Sequence, residues 1–130
     1  MSSLFARSNA VIPQTPSATH ASKEGYLVDL AAGVATISSS ATVPADGVIL
    51  EGQATTGQSS IGILGALSGT VRLKTSGVIA AGARVQQAAD GTVVTDAGPG
   101  NARVVVGVAL EAAVSGDLIE VATFAPMILP

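Results

Sequence analysis

The chain has 130 residues, enough for one domain with a real core and too few for two independent ones. Apolar residues make up 48% of it, yet the aromatic set is Phe5, Tyr26 and Phe124, so the interior has to be filled by Val, Ile, Leu and Ala. Charged residues reach 12%, against about 25% in ordinary soluble domains, and the net charge is −3.

These values exclude several function classes. Arg7, Lys23, Arg72, Lys74, Arg84 and Arg103 are scattered, and binding phosphate needs a concentrated basic patch, so no nucleic acid is expected as a partner. Cysteine is absent, which removes disulfides and thiolate metal sites. Every long apolar run is broken by Gly, Ser or Glu, and no basic region followed by an apolar stretch opens the chain; a soluble protein with no membrane partner and no signal peptide is expected. A weakly charged aliphatic surface favours self-association or docking on a larger assembly.

Residues 1–25 are rich in Ser, Ala, Thr and Pro and have no apolar period. Pro13 and Pro16 lack amide donors, which argues against an internal sheet position and for an extended arm; a disordered tail is the other reading. The β domain is expected over 26–125, followed by a C-terminal tail over 126–130.

A first hairpin is predicted from Tyr26–Leu30 and Gly33–Ile37. Val43-Pro44-Ala45-Asp46-Gly47 reads as a turn into a strand from Val48 to Gly52. Ser60–Ala66 and Thr70–Thr75 read as strands joined across Leu67-Ser68-Gly69, the second with Val71 and Leu73 inward and Arg72 and Lys74 outward. Val78–Ala83 is expected as a loop into a strand at Arg84-Val85-Gln86, and Asp90-Gly91 as a hairpin turn into Thr92–Thr95. Asp96–Ala102 is expected to be an exposed connection.

The strongest pattern follows. Val104–Ala113 and Leu118–Phe124 form a predicted hairpin across Ser115-Gly116-Asp117, with Val104, Val106, Val108 and Leu110 on one face and Val105, Gly107, Ala109 and Glu111 on the other. Gly47-Val48-Ile49-Leu50-Glu51 matches Gly107-Val108-Ala109-Leu110-Glu111, which suggests two similar β units packed together through a shared strand geometry. Strands arriving about every ten residues are the spacing of a small barrel or sandwich.

Chemical motifs are weak. Gly52–Ser59 has the spacing of a phosphate-binding loop, but Gln58 stands where the lysine must be, and a strand follows instead of a helix. His20 is the single histidine and has no cysteine to join it in a metal site. Gly-x-Ser-x-Gly does not occur. Glu51, Glu111 and Glu120 sit in strand-like segments, and the equivalent places of Glu51 and Glu111 in the two Gly-Val-x-Leu-Glu copies make them outward residues at strand ends rather than an acid/base pair. Lys74 lacks the hydrophobic setting of a lipoyl or biotinyl carrier lysine. No catalytic, cofactor-binding or metal residue is assigned, no cofactor is expected, and the protein is not read as an enzyme.

Taken in order, Gly69–Lys74, Ser76–Gln86, Asp90-Gly91, Val106–Ala113 and Gly116–Val121 resemble a family of small bacteriophage head proteins, the capsid decoration or cement proteins. The resemblance covers residues from about 26 to 125 and none of its motifs is catalytic. Some members carry the label of a RecA-like phage recombinase, which the missing lysine and missing α/β pattern contradict here. What the resemblance implies is a compact, β-tulip-like all-β fold that binds the outer surface of an assembled head, commonly as a homotrimer. The major capsid protein is then the partner and the virion the location, with the host cytoplasm the place of assembly. On this reading Leu4, Phe5, Val11 and Ile12 of the arm are the candidate capsid-binding residues, adding their backbone to a free strand edge of the shell. A tail, fibre or baseplate component is the alternative.

Overall fold

The computed structural model describes residues 10–67 and 69–130. All of the regular structure in them is β. Five strands, β1 (Val11–Pro16), β2 (Leu27–Ala31), β3 (Val34–Ile37), β4 (Gly47–Glu51) and β5 (Ser59–Ile63), form a closed barrel in the order β1-β3-β2-β4-β5. Five more, β6 (Val71–Lys74), β7 (Arg84–Gln87), β8 (Val93–Thr95), β9 (Arg103–Ala109) and β10 (Leu118–Leu129), form a curled sheet in the order β6-β10-β9-β7-β8. One parallel bridge, Thr75 to Val93, brings the two edges of that sheet together.

The two halves repeat each other strand for strand. β1 corresponds to β6, and the hairpins β2–β3 and β4–β5 correspond to β7–β8 and β9–β10. The sense and the register agree as well. Val28 lies opposite Gly47 as Val85 lies opposite Gly107, and Ile49 faces Ile61 as Ala109 faces Val121. Ile12 pairs with Ile61 as Val71 pairs with Val121, and the parallel contact Pro16 to Ala35 matches Thr75 to Val93. Even the entry turns agree: Gly25 (φ +89°) donates its N–H to the Ile49 carbonyl at 2.8 Å, and Gly82 (φ +86°) donates to the Ala109 carbonyl at 2.7 Å. The short sequence match between Gly47–Glu51 and Gly107–Glu111 therefore falls on equivalent strands, β4 and β9.

Strand alternation divides the apolar residues into two clusters. Val28, Ala35, Ile49 and Ile61 are buried together, with Ile12, Leu30 and Ile37 packed against them. The neighbouring positions on β2 and β4, Leu27 and Val48, belong instead to the larger cluster that includes Leu73, Ile79, Val85, Val106 and Ile119 of the second unit. That cluster is the seam between the halves, and each such side chain contributes about 1.5–3 kcal/mol on burial.

A buried amide reinforces the seam. Gln87, at the end of β7 and fully buried, accepts the Ala45 N–H on Oε1 at 2.7 Å and donates from Nε2 to the carbonyls of Ser40 and Val43 at 3.1 and 3.0 Å. One side chain thus bonds three backbone groups of the loop between β3 and β4, among them the N–H of the buried Ala45.

The local turns follow the expected chemistry. Ala32 and Gly33, the two residues linking β2 to β3, both have positive φ (52° and 80°), as a two-residue hairpin turn requires. In the β7–β8 connection Gly91 has φ +82° and Asp90 accepts from the Thr92 N–H at 3.2 Å. Gly116 (φ +92°) and Asp117, which accepts the Val114 N–H at 2.9 Å, reverse the chain before β10.

Three expectations need correction. The arm expected over residues 1–25 belongs, from Val11 onward, to the barrel: β1 pairs with β5 over Val11–Gln14 and with β3 at Thr15 and Pro16. Its prolines are tolerated because of where they sit. Odd residues donate toward β3, as Thr15 and Ser17 do, and even ones face β5. Pro13 precedes the start of the β3 pairing and Pro16 follows the end of the β5 pairing, so neither missing N–H is needed.

The tail expected over 126–130 is mostly strand, since Met127, Ile128 and Leu129 pair with Val105, Val104 and Arg103. Arg103, ion-paired with Asp96, fixes the end by donating from Nη1 to the Pro130 carbonyl at 2.7 Å. The strands expected on either side of Leu67-Ser68-Gly69 are β5 and β6, which lie in different sheets.

Last, the face expected for β9 changes phase. Val85 and Gln86 of β7 lie opposite Gly107 and Val105, leaving Val106 as an extra residue. Across that bulge the core positions pass from Val104 and Val106 to Ala109, and Leu110 is left 51% exposed.

Candidate functional site

Val11 and Ile12 belong to β1 and pair with β5 rather than lying in a free arm. Val11 lies opposite Gly62, Ile12 lies opposite Ile61, and the Ile12 side chain packs into the first barrel. Leu4 and Phe5 lie outside the described residues.

The loop with phosphate-loop spacing runs from Gly52 into β5, which starts at Ser59 as a strand, so no helix N-terminus faces it. Of the three glutamates, Glu51 accepts from Gln53 Nε2 at 3.2 Å and Glu111 accepts the Glu120 N–H at 3.1 Å. Glu120 accepts from Thr70 Oγ1 at 2.5 Å and pairs with Arg72 at 3.4 Å; the Thr70 hydrogen bond, with Arg72 assisting, holds its carboxyl below the usual range. All three carboxylates have surface hydrogen-bonding roles within the sheets.

His20 and Ser59 come together, a pairing that sequence spacing does not disclose. His20 Nδ1 is 3.0 Å from Ser59 Oγ, and Ser59 Oγ also accepts the Gln53 N–H at 3.1 Å. Ser59 is 0% and His20 1% exposed, so this hydroxyl is shut away from any substrate. The His20 Nε2 is buried with no partner, and burial lowers the imidazole's pKa below its ordinary 6.5. The same end of the second unit holds Ile79 and Ile119, which are equally buried. One repeat is therefore polar where the other is aliphatic.

A second acid pair lies elsewhere on the first barrel. Asp46 accepts the Leu30 N–H at 2.8 Å, while Asp29 Oδ1 is buried without a partner. Burial, then the charge of Asp46, raises the Asp29 pKa. Among the described residues no group of three or more His, Cys, Asp or Glu side chains is arranged to hold a metal ion.

An open groove of about 430 Å³ lies on the second unit. Val78, Ile79 and Ala80 line one part and Ala112, Ala113 and Val114 another, with Asp117 the charged residue among them. A two-way backbone bridge between Ile79 and Ala113 (3.0 and 2.8 Å) holds the two segments together. Val78 is 77% and Val114 61% exposed. Leu110, Leu118, Met127 and Ile128 are further exposed aliphatic residues of the same unit. Such a surface is suited to burial against protein. Among known proteins, no family model and no curated protein matches this chain.

Proposed function

We propose that this protein is a decoration, or cement, subunit of a bacteriophage head, binding the outer surface of the assembled shell as an oligomer, with a homotrimer the favoured form. The observation that carries the reading is the aliphatic surface of the second unit around Val78 and Val114, set on a compact β body. The ordered motifs from Gly69 to Val121 that resemble this family support it.

On this reading three copies form a block lying across the joints between major capsid subunits. Several weak contacts made at once raise the effective concentration of each, so occupancy is high without any single strong contact. Because the block binds the assembled shell and not its dissociated subunits, it stabilises the particle by mass action against heat and internal pressure. This mechanism does not use strand addition by Val11 and Ile12, which are already paired with β5 along one edge.

The test is to mix the purified protein with expanded, undecorated shells and image them by electron microscopy. Ordered density on the outer lattice is expected. Bare shells at saturating protein, or virions that contain none of it, would overturn the reading.

A further inference from the structure

We infer that the Val78–Val114 groove receives residues 1–9 of a second copy of this chain, with Leu4 and Phe5 against the aliphatic walls and Arg7 facing Asp117. This deepens the oligomeric reading above and rests on it.

The internal repeat shows that the fold itself does not require an apolar surface here. The Ile79 N–H donates to the Ala113 carbonyl, and at the matching place in the first unit the His20 N–H donates to the Gln53 carbonyl at 2.8 Å. Around that bond the first unit carries Thr19, Gly52, Gln53 and Ala54, where the second carries Val78, Ala112, Ala113 and Val114. The same backbone bond thus carries a polar end in one copy, where the Gln53 N–H turns to Ser59 Oγ, and an open aliphatic groove in the other, where the Ala113 N–H completes a two-way bridge. The difference lies at the surface, where dehydration by a partner is what an exposed valine pair would gain from.

The occupant is chosen on charge, shape and reach. Residues 1–9 contain Arg7 and no acid, whereas the rest of the chain is acidic enough to bring the net charge to −3. Among the described residues Asp117 has no ion-pair partner. Leu4 and Phe5 are adjacent aliphatic and aromatic side chains, and the groove lies within the range of about 300–1,000 Å³ typical of side-chain and ligand pockets. The described chain starts at Ala10, whose carbonyl is tied to the Ile63 N–H at 2.8 Å. From that anchor nine residues span up to about 30 Å, enough to cross to a neighbouring copy. A contact between an N-terminal segment and a groove joins two different surfaces, and repeated head to tail with a threefold rotation between copies it gives the closed ring of a trimer.

The absence of cysteine gives a clean test. Phe5→Cys and Val114→Cys variants, made separately with different tags, are mixed under a mild thiol oxidant and run on a non-reducing gel. A mixed disulfide dimer is expected, in excess over a Phe5→Cys and Val43→Cys control, Val43 being 57% exposed and outside the groove. Val78→Asp and Val114→Asp, both at exposed positions, are expected to lose the oligomer in light scattering while still melting in one cooperative transition, at a temperature that no longer depends on protein concentration. A disulfide formed solely within a doubly substituted chain would assign the groove to the chain's own segment and overturn the proposal, as would an oligomer indifferent to Val78→Asp. If shells stay bare while the mixed disulfide forms, the decoration reading fails and this one stands.

Discussion

Gly47 and Gly107 are crowded in the same way by the same neighbours. A Cβ on Gly47 would lie 2.6 Å from Ile61 Cγ2 and 2.7 Å from the Gly62 carbonyl oxygen. On Gly107 it would lie 2.7 Å from Val121 Cγ1 and 2.5 Å from the Ala122 carbonyl oxygen. Neither glycine has a positive φ, so close approach of the partner strand, rather than backbone conformation, demands the missing side chain. Gly107→Ala and Gly47→Ala should each destabilise the protein by about 1–3 kcal/mol, the usual cost of overpacking. Urea unfolding checks this.

Gln87→Leu keeps the volume and removes the amide. The buried Ala45 N–H would then have no partner, and the carbonyls of Ser40 and Val43 would each lose a donor. A loss of about 2–4 kcal/mol is expected, from roughly 1–3 kcal/mol for each group that water cannot reach. Hydrogen exchange at the Ala45 amide should accelerate beyond what the global loss of stability accounts for.

His20 gives a pH dependence with a definite sign. Its folded-state pKa is depressed by burial below 6.5, so the unfolded chain binds the proton more tightly. Stability should be full above that value and fall as the pH drops through the window beneath it. His20→Ile, which copies Ile79 at the equivalent position, leaves Ser59 its bond from the Gln53 N–H and should flatten this slope between pH values of about 7 and 5. Denaturant midpoints across the range decide it.

Asp29 acts in the opposite sense. Burial and the neighbouring Asp46 raise its folded-state pKa above 3.8, so its ionised form weakens the fold at neutral pH. Asp29→Asn should unfold at a higher urea concentration than the parent at neutral pH. The gap should narrow as the pH falls toward the usual carboxylate range, because the parent then becomes neutral as well.

Much of the second unit was legible from residues alone. Val71 and Leu73 against Arg72 and Lys74, the Ser115-Gly116-Asp117 reversal, and the match of Gly47–Glu51 to Gly107–Glu111 all express strand alternation and turn chemistry, which are local. What escaped depends on partners far along the chain. Pro13 and Pro16 argue against a strand until it is known that β1 changes neighbour between them. The phase change at Val106 comes from a bulge against β7, and nothing near it in sequence marks that. The pairing of His20 with Ser59 requires β1 and β5 to meet, and the groove requires Ile79 to reach Ala113; both are products of closure.

The seam through Leu27, Val48 and Leu64 has a consequence for how the molecule comes apart. These side chains point away from the interior of the barrel that carries them and are dry solely because the other repeat covers them. Neither repeat can melt without wetting its neighbour's share of the seam. Heating should therefore give a single cooperative transition, although the wiring is that of two modules, and calorimetric and van't Hoff enthalpies should coincide.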